Sequence, residues 1–342
     1  MANHVHLRPV APPVAAGANE LLLRVEGVSI AFGDVQITRD VSFSIARGER
    51  VGLVGESGCG KSVTGLSLLR LLPHGVRLGG RMIFEGEDIL TMSPARLRQM
   101  RGNRMAMVFQ EPMSALDPVF TIGDQIGEAL RLHRRMTRRE CREAVIQALR
   151  DVGIPAPERR YDEYPHQLSG GMRQRAMIAM ALICRPKLLI ADEPTTALDV
   201  TIQAQIMDLL CRLSEEVGTA LLFITHDLGV VAETCTRMLT MYAGQIVEDG
   251  PVDDVLLRPR HPYTSGLLRS LPRLNQKRGE LAFIPGRVPA PAHMPEGCRF
   301  RARCGFDVSG CEAPQVLESF AAGERHVRCW RSRELELEGA VG

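Results

Sequence analysis

The 342-residue sequence is poor in aromatic side chains, which make up 4% of it. Proteins that bind single-stranded nucleic acid stack bases on exposed rings, so this scarcity argues against such a surface. Excess charge of either sign is also lacking, since 42 Lys plus Arg face 40 Asp plus Glu. A net charge of +2 gives no long-range attraction to DNA or to anionic lipid. Any partner must therefore be recognised through local surfaces.

Long apolar runs are missing as well. None reaches the roughly 18 residues that a membrane-spanning helix requires, and the longest candidate, Ala176 to Cys184, is followed by Arg185. Residues 1–20 have no positively charged stretch leading into an apolar core, so we expect a flexible tail rather than a secretory signal. The chain is expected to be cytosolic unless a partner holds it at a membrane, with cysteines that are reduced or metal-bound.

One segment matches the phosphate-loop pattern G-x-x-x-x-G-K-S/T in full. Its glycines let successive N–H groups face one point, and the following helix, expected to run to Leu72 before Pro73, adds its positive end. Lys61 would reach the β- and γ-phosphates, and the Ser62 hydroxyl would complete a Mg²⁺ shell. The loop residues are Gly55, Glu56, Ser57, Gly58, Cys59, Gly60, Lys61 and Ser62.

Two apolar runs end in side chains that suit nucleotide chemistry. Leu188 to Ala191 is followed by Asp192 and Glu193, and the strand candidate over 220–225 is followed by His226. Parallel sheets bind ligands at the carboxyl ends of their strands, so these side chains should face the phosphate loop. Asp192 would hold Mg²⁺ through water, Glu193 would polarise the attacking water, and His226 could donate to a γ-phosphate.

Residues 21–45 predict a half-buried antiparallel pair of strands, because apolar residues alternate there with mostly polar or small ones. Phe32 closes the first of these strands. Its ring is either a core or edge aromatic, or a platform on which an adenine base stacks near the phosphate loop.

A helical insertion is predicted over about 111–180, following a strand candidate that ends at Gln110. This segment is rich in arginine and carries apolar residues at helical spacing. Towards its end, Ser169 is a candidate helix N-cap, and Gly170 and Gly171 leave the first N–H groups of that helix accessible. This helix end is therefore a second candidate site for an anion.

Four of the nine cysteines lie in a short C-terminal stretch with the spacing C-x5-C-x6-C-x17-C. Scattered core residues are one interpretation of this cluster. Zinc sites usually contain C-x2-C pairs, which are missing here, and the wider spacing suits a [4Fe–4S] cluster better. Zinc, with His326 as a substitute ligand, is the alternative. The four residues are Cys298, Cys304, Cys311 and Cys329.

In their order along residues 21–254, these motifs resemble the ATP-binding-cassette (ABC) ATPase family. The segment Leu168 to Gln174 resembles the family's signature sequence. Gln110 stands where the family has its Q-loop glutamine, Asp199 where it has the D-loop aspartate, and His226 where it has the switch histidine. Phe32 takes the place of the adenine-stacking aromatic.

The resemblance implies an α/β fold with a P-loop NTPase core, in which a mixed sheet is joined by an antiparallel β subdomain. It implies an ATPase domain over 21–255 with the helical subdomain at about 111–180, a cysteine-containing extension over 256–335 and a tail over 336–342. The catalytic residues it implies are Glu193, His226 and Gln110. The Mg²⁺ ligands it implies are Ser62, Gln110 and Asp192.

The resemblance further implies that two subunits close over ATP head to tail. Nucleotide on the phosphate loop of one subunit, with Asp199 nearby, would then be covered by Ser169, Gly170 and Gly171 of the other.

The segment His261 to Leu268 and the four late cysteines resemble the C-terminal extension of oligopeptide, dipeptide and nickel importer ATPases. This implies a peripheral subunit on the cytoplasmic face of the membrane that powers peptide import. The implied partners are a second ATPase subunit, usually a different chain, two transmembrane permease subunits and an extracytoplasmic substrate-binding protein, with no nucleic acid. Nickel, glutathione and opine-like compounds are alternative cargoes.

A soluble ABC ATPase that acts on nucleic acid or the ribosome is the interpretation from another functional class. Such proteins usually carry two cassettes or added nucleic-acid modules. Here a single phosphate loop, a single signature sequence and a near-neutral charge are found.

Overall fold

The computed structural model of the protein describes residues 20–111, 115–195, 200–271, 283–320 and 325–340. Within these ranges the strands form two sheets, one antiparallel and one mixed, and helices flank the mixed sheet. This is the α/β architecture that the sequence predicts.

The elements of the described residues are named in chain order. The strands are β1 (Leu21–Phe32), β2 (Val35–Ala46), β3 (Arg50–Val54), β4 (Val76–Phe84), β5 (Glu87–Asp88), β6 (Met105–Val108), β7 (Leu188–Asp192), β8 (Ala220–Thr225), β9 (Arg237–Tyr242), β10 (Gln245–Pro251), β11 (Glu318–Phe320) and β12 (Arg325–Val327). The helices are α1 (Lys61–Leu68), α2 (Pro94–Met100), α3 (Ile122–His133), α4 (Arg138–Asp151), α5 (Pro157–Tyr161), α6 (Gly170–Leu182), α7 (Val200–Val217), α8 (Leu228–Thr234), α9 (Val252–Leu257) and α10 (Pro262–Arg269).

The antiparallel sheet has the strand order β2-β1-β4-β5. Its alternating apolar residues turn towards one buried face, where Val25 and Ile45 are almost fully shielded from solvent. The predicted antiparallel pair is therefore confirmed. Phe32 pairs with Val35 at the hairpin end of β1 and packs, partly buried, against the core beneath.

The mixed sheet has the order β11-β12-β10-β9-β3-β8-β7-β6, and its β9-β3-β8-β7-β6 part is parallel. Val54 pairs with Thr225, Asp192 with Ile224, and Val108 with Ala191. These registers bring the carboxyl ends of β3, β6, β7 and β8 to one edge of the sheet. Every residue of β7 and β8 is buried, as expected for strands covered on both faces.

The predicted helical insertion is confirmed by α3, α4, α5 and α6. Hydroxyl side chains cap three of these helices, and Thr137 forms a reciprocal capping box with Glu140 at the start of α4. Apolar residues on the facing sides, among them Ile126, Val145 and Leu149, are fully buried. Helical spacing in the sequence was therefore sufficient to identify this region.

Helix α1 ends earlier than the sequence predicts, at Leu68 instead of Leu72. Arg70 adopts a left-handed φ of 49°, and the N–H of Leu71 turns back to the carbonyl of Leu66 at 3.0 Å. The side chain of Arg101 then donates to the carbonyls of Leu69 and Arg70, both at 2.7 Å. A distant arginine thus satisfies carbonyls that continued helix would have paired.

The C-terminal extension is joined to the mixed sheet, because β12 pairs antiparallel with β10 and β11 with β12. At this junction the Glu248 carboxylate has no solvent exposure. It accepts hydrogen bonds from the backbone N–H groups of Arg260 at 2.8 Å and His261 at 3.1 Å, and from the guanidinium of Arg325. One buried carboxylate therefore joins the mixed sheet to two separate parts of the extension.

None of the helices in the described ranges is long and apolar enough to span a membrane.

Replacing Arg325 by alanine should lower the free energy of unfolding by about 3 kcal/mol, because it leaves a buried carboxylate without its counter-charge. Arg139→Ala, which breaks an exposed helical pair with Glu143, is the control and should change stability much less. Urea titration of both variants measures the difference. Equal stability of the two variants would contradict a structural role for Glu248 and Arg325.

Candidate functional site

The phosphate-binding loop connects β3 to α1, and it requires glycine at its first position. A Cβ on Gly55 would lie 2.2 Å from the carbonyl oxygen of Met241. Gly60, with φ of 106°, occupies the N-cap of α1. The carbonyl of Cys59 accepts a hydrogen bond from the N–H of Gly244 at 2.8 Å. The loop therefore rests directly on the turn between β9 and β10.

The Lys61 side chain lies back across the loop. Its Nζ donates to the carbonyl of Gly55 at 2.7 Å and to that of Glu56 at 3.1 Å, and its residue is only 5% exposed. Phosphate oxygens are stronger acceptors than carbonyl oxygens for an ammonium group. The amine is therefore held where a bound polyphosphate could accept its hydrogen bonds.

Ser62 and Asp192 meet at the carboxyl end of β7, where the Ser62 hydroxyl donates to Asp192 Oδ1 at 3.0 Å. Asp192 is 6% exposed, and burial together with the adjacent Glu193 carboxylate raises the pKa of Asp192. A hydroxyl and a carboxylate oxygen are ligands that suit Mg²⁺. A cation between them would offset the desolvation of the carboxylate, so the pair fits the predicted metal.

The Glu193 carboxylate is held on both sides. Gln110 Nε2 donates to its Oε2 at 3.1 Å, and His226 Nδ1 lies 3.1 Å from its Oε1. Glu193 has a left-handed φ of 44°, and its N–H donates to the carbonyl of Ile224 at 2.8 Å. The chain thus turns sharply just after β7, which brings together all three residues predicted to be catalytic. Gln110 contacts this carboxylate rather than the Ser62–Asp192 pair.

Two further residues position this group, although the sequence assigns neither of them such a role. Asp227 Oδ1 accepts from the N–H groups of Gly229 at 2.9 Å and Val230 at 3.3 Å, so it caps α8 directly after His226. Gln174, buried in α6, donates to the carbonyl of Pro194. An aspartate before an apolar helical segment is a recognisable N-cap signal, whereas the signature-like segment that ends at Gln174 does not indicate the contact of this side chain with Pro194.

The glycine-rich start of α6 faces solvent. Ser169 caps it by accepting from the N–H of Met172 at 3.3 Å, which confirms the predicted N-cap. Ser169 and Gly170 are exposed, and a Cβ on Gly170 would meet nothing within 4 Å. An anion or a second molecule can therefore approach this helix end. Asp199 lies outside the described residues.

The four late cysteines lie near one another in partly buried positions. Burial and the neighbouring thiols Cys329, Cys304 and Cys311 raise the pKa of Cys298 to about 11. The N–H of Cys298 also donates to the carbonyl of Cys311 at 2.9 Å.

The iron–sulfur and zinc predictions are nevertheless not supported by the structure. Among the described residues, no group of three or more His, Cys, Asp or Glu side chains is close enough to hold a metal ion. His326, the alternative zinc ligand, sits on β12 beside the Asp249 carboxylate, with Nδ1 at 3.6 Å from Oδ2.

The sequence matches two family profiles. One describes an ABC transporter and matches residues 38–196. The other describes the C-terminal region of oligopeptide/dipeptide transporters and matches residues 247–311.

Close relatives are similar over almost their whole length. A probable peptide ABC transporter ATP-binding protein of Sinorhizobium fredii is 52% identical over 324 residues, which covers 92% of this chain and 96% of that protein. A candidate peptide import ATP-binding protein of Brucella ovis is 53% identical over 332 residues and covers 92% and 98%.

Solved structures share the nucleotide-binding part of the fold. An ATP-binding cassette in a dimeric post-hydrolysis state with ADP and Pi has a TM-score of 0.60 and 27% identity, covering 68% of this chain and 99% of that one. A cassette subunit of the cbiONQ ABC transporter complex of Clostridium perfringens has a TM-score of 0.60 and 28% identity, covering 69% and 90%.

Replacing Lys61 by alanine is expected to weaken MgATP binding at least about tenfold, because it removes a charge-assisted contact with the phosphates. Lys187→Ala is a matched control. Lys187 is exposed and directly precedes β7, at the end of the strand opposite to Asp192. Equilibrium dialysis with labelled ATP compares the two variants. Unchanged affinity in the Lys61 variant would place nucleotide elsewhere.

Proposed function

The chain belongs to the ABC transporter ATPase family, and we propose that it binds and hydrolyses ATP to power the import of peptides across the cytoplasmic membrane. The observation that carries the ATPase assignment is the position of Glu193. This carboxylate lies between Gln110 and His226 and follows directly on the Ser62–Asp192 pair. A base, its orienting groups and a candidate Mg²⁺ site therefore share one edge of the sheet.

Hydrolysis would proceed by in-line attack of water on the γ-phosphate. Glu193 would accept a proton from that water, while its contacts with Gln110 and His226 fix the direction of the carboxylate. A neutral imidazole carries one ring proton, so His226 cannot donate from Nδ1 to Glu193 and from Nε2 to phosphate at once. We therefore propose that His226 either becomes protonated or leaves Glu193 when ATP is bound.

Ser62 and Asp192 would hold Mg²⁺, which neutralises phosphate charge when it is bound. Lys61 would donate to the β- and γ-phosphates. Gln110, whose side-chain nitrogen contacts Glu193, stays a predicted third Mg²⁺ ligand through its amide oxygen. Phe32 stays a predicted platform for the adenine base.

A second subunit would complete the site. The exposed start of α6 offers N–H donors at Ser169, Gly170 and Gly171 that can approach a triphosphate on another chain. Asp199 is proposed to lie in the same interface. In this arrangement ATP joins the two subunits, and hydrolysis releases them.

Peptides are proposed as the cargo because the C-terminal segment over 247–311 matches the oligopeptide/dipeptide transporter profile. The names of the two relatives also refer to peptide transport or import. We propose a peripheral position on the cytoplasmic face, with two transmembrane permease subunits, a second ATPase subunit and an extracytoplasmic substrate-binding protein as partners. The exposed Val119 and Phe120, which follow the Gln110 segment, are suited to an apolar contact with a permease.

We propose in addition that the four late cysteines bind a [4Fe–4S] cluster, with zinc as the alternative. The backbone N–H two residues further on, at Phe300, Phe306 and Arg331, lies close enough to three of the thiols to favour their deprotonated form. N–H groups near sulfur stabilise metal-bound thiolates. Binding would require deprotonation of the thiols and their closer approach. The ligands would be Cys298, Cys304, Cys311 and Cys329.

Glu193→Gln should reduce ATP turnover by about a hundredfold or more while ATP still binds, because it removes the general base and keeps the shape of the side chain. Glu216→Gln is the control, since Glu216 is exposed on α7. Phosphate release gives turnover, and gel filtration with MgATP is expected to show a dimer only for the Glu193 variant. Normal turnover in that variant would remove Glu193 from its role.

Anaerobically purified protein should contain about four iron atoms and four sulfides per chain, both lost in Cys304→Ser. Cys211→Ser, on α7, should retain them. Stoichiometric zinc without iron would show that these cysteines bind zinc instead of a cluster. Protein free of both metals would refute a metal role for them.

A further inference from the structure

The C-terminal extension contacts the phosphate-binding loop directly. Arg303, in a short 3-10 turn over Arg301–Arg303, forms two parallel hydrogen bonds with the carboxylate of Glu56. Its Nη1 donates to Oε2 at 2.7 Å and its Nη2 to Oε1 at 3.0 Å. The Arg303 side chain is 4% exposed and that of Glu56 is 30% exposed. This is a partly buried ion pair between residues 247 positions apart in the sequence.

A second contact fixes the backbone at the same loop residue. The N–H of Glu56 donates to the hydroxyl of Tyr263 at 2.9 Å. Tyr263 is fully buried at the start of α10, and its ring packs against those of Tyr242 and Phe300. Side chains from two separate parts of the extension therefore converge on Glu56.

The charge of Glu56 makes these contacts relevant to nucleotide binding. Glu56 is the only acidic residue among the eight of the loop, which must bind a polyphosphate anion. An unpaired carboxylate at this position would repel the phosphates, and the low dielectric of the partly buried loop would strengthen the repulsion.

Arg303 is well placed to prevent that repulsion. Its Nε donates to the carbonyl of Pro285 at 2.9 Å, and its guanidinium lies 5.7 Å from the centre of the Tyr242 ring. These contacts hold the guanidinium in place, so the carboxylate of Glu56 is directed towards the extension.

We propose that Arg303 is a positioning residue for ATP binding, because its pairing with Glu56 offsets the only negative side chain of the phosphate-binding loop. The C-terminal extension then sets the affinity of the ATPase domain for ATP. This inference rests on the proposed ATPase function and adds a contribution from outside the known loop motif.

A simple tether is the competing explanation. If the ion pair only holds the extension against the ATPase domain, loss of either partner should have the same effect. If Arg303 offsets an unfavourable charge, loss of Arg303 should weaken ATP binding and loss of Glu56 should not.

The test measures binding of a fluorescent ATP analogue, with Mg²⁺, to the full-length chain. Arg303→Gln should raise the Kd about tenfold, and the double variant with Glu56→Gln should return to within about threefold of the unaltered chain. In the assembled transporter the KM for ATP should change in parallel with little change in kcat. Arg301→Gln, whose partner Asp307 lies within the extension, is the matched control and should bind normally.

Two results would overturn the proposal: an unchanged Kd in Arg303→Gln, or weaker binding in Glu56→Gln alone. Weaker binding in the Glu56 variant overturns the proposal even where Arg303→Gln fails to fold. Failure of the unaltered chain to bind the analogue would instead refute the proposed function, so the two failures are distinguishable.

Discussion

The fully buried strand β7 determines the site, because its hydrogen bonds to β6 and β8 leave it no freedom of register. That register places Asp192 at the edge of the sheet. The left-handed backbone of Glu193 then directs the Glu193 carboxylate away from Ser62 and towards other partners. Two adjacent acids are thereby given two separate sets of partners. One meets the Ser62 hydroxyl, and the other lies between Gln110 and His226.

The second constraint is the attachment of the C-terminal extension. Glu248 draws it to the edge of the mixed sheet, where β12 continues the strand order, and Arg303 and Tyr263 reach back to Glu56. The extension therefore shares its hydrogen bonds with the phosphate-binding loop. The cysteine-containing segment begins at Cys298, so Arg303 lies within it and joins it directly to the phosphate-binding loop.

The nucleotide site was predictable from the sequence because its residues follow short apolar strands and lie at helix starts, and both features are local. The N-cap at Ser169 and the convergence of Glu193 with His226 follow from that kind of signal. The early end of α1 was not predictable, since Arg101 satisfies its carbonyls from another element. The Arg303–Glu56 pair was equally hidden, because ion pairs over such separations leave no periodic pattern. Spacing of the cysteines indicated their grouping but did not establish a metal.

We propose that this chain couples ATP hydrolysis to peptide import. The most direct measurement is phosphate release by the membrane complex purified with this chain and reconstituted in lipid vesicles, with and without peptide-loaded binding protein. We predict hydrolysis that depends on the membrane subunits and rises when the loaded binding protein is added. A hydrolysis rate that does not depend on peptide or on the membrane subunits, and that rises instead with nucleic acid or ribosomes, would contradict this proposal.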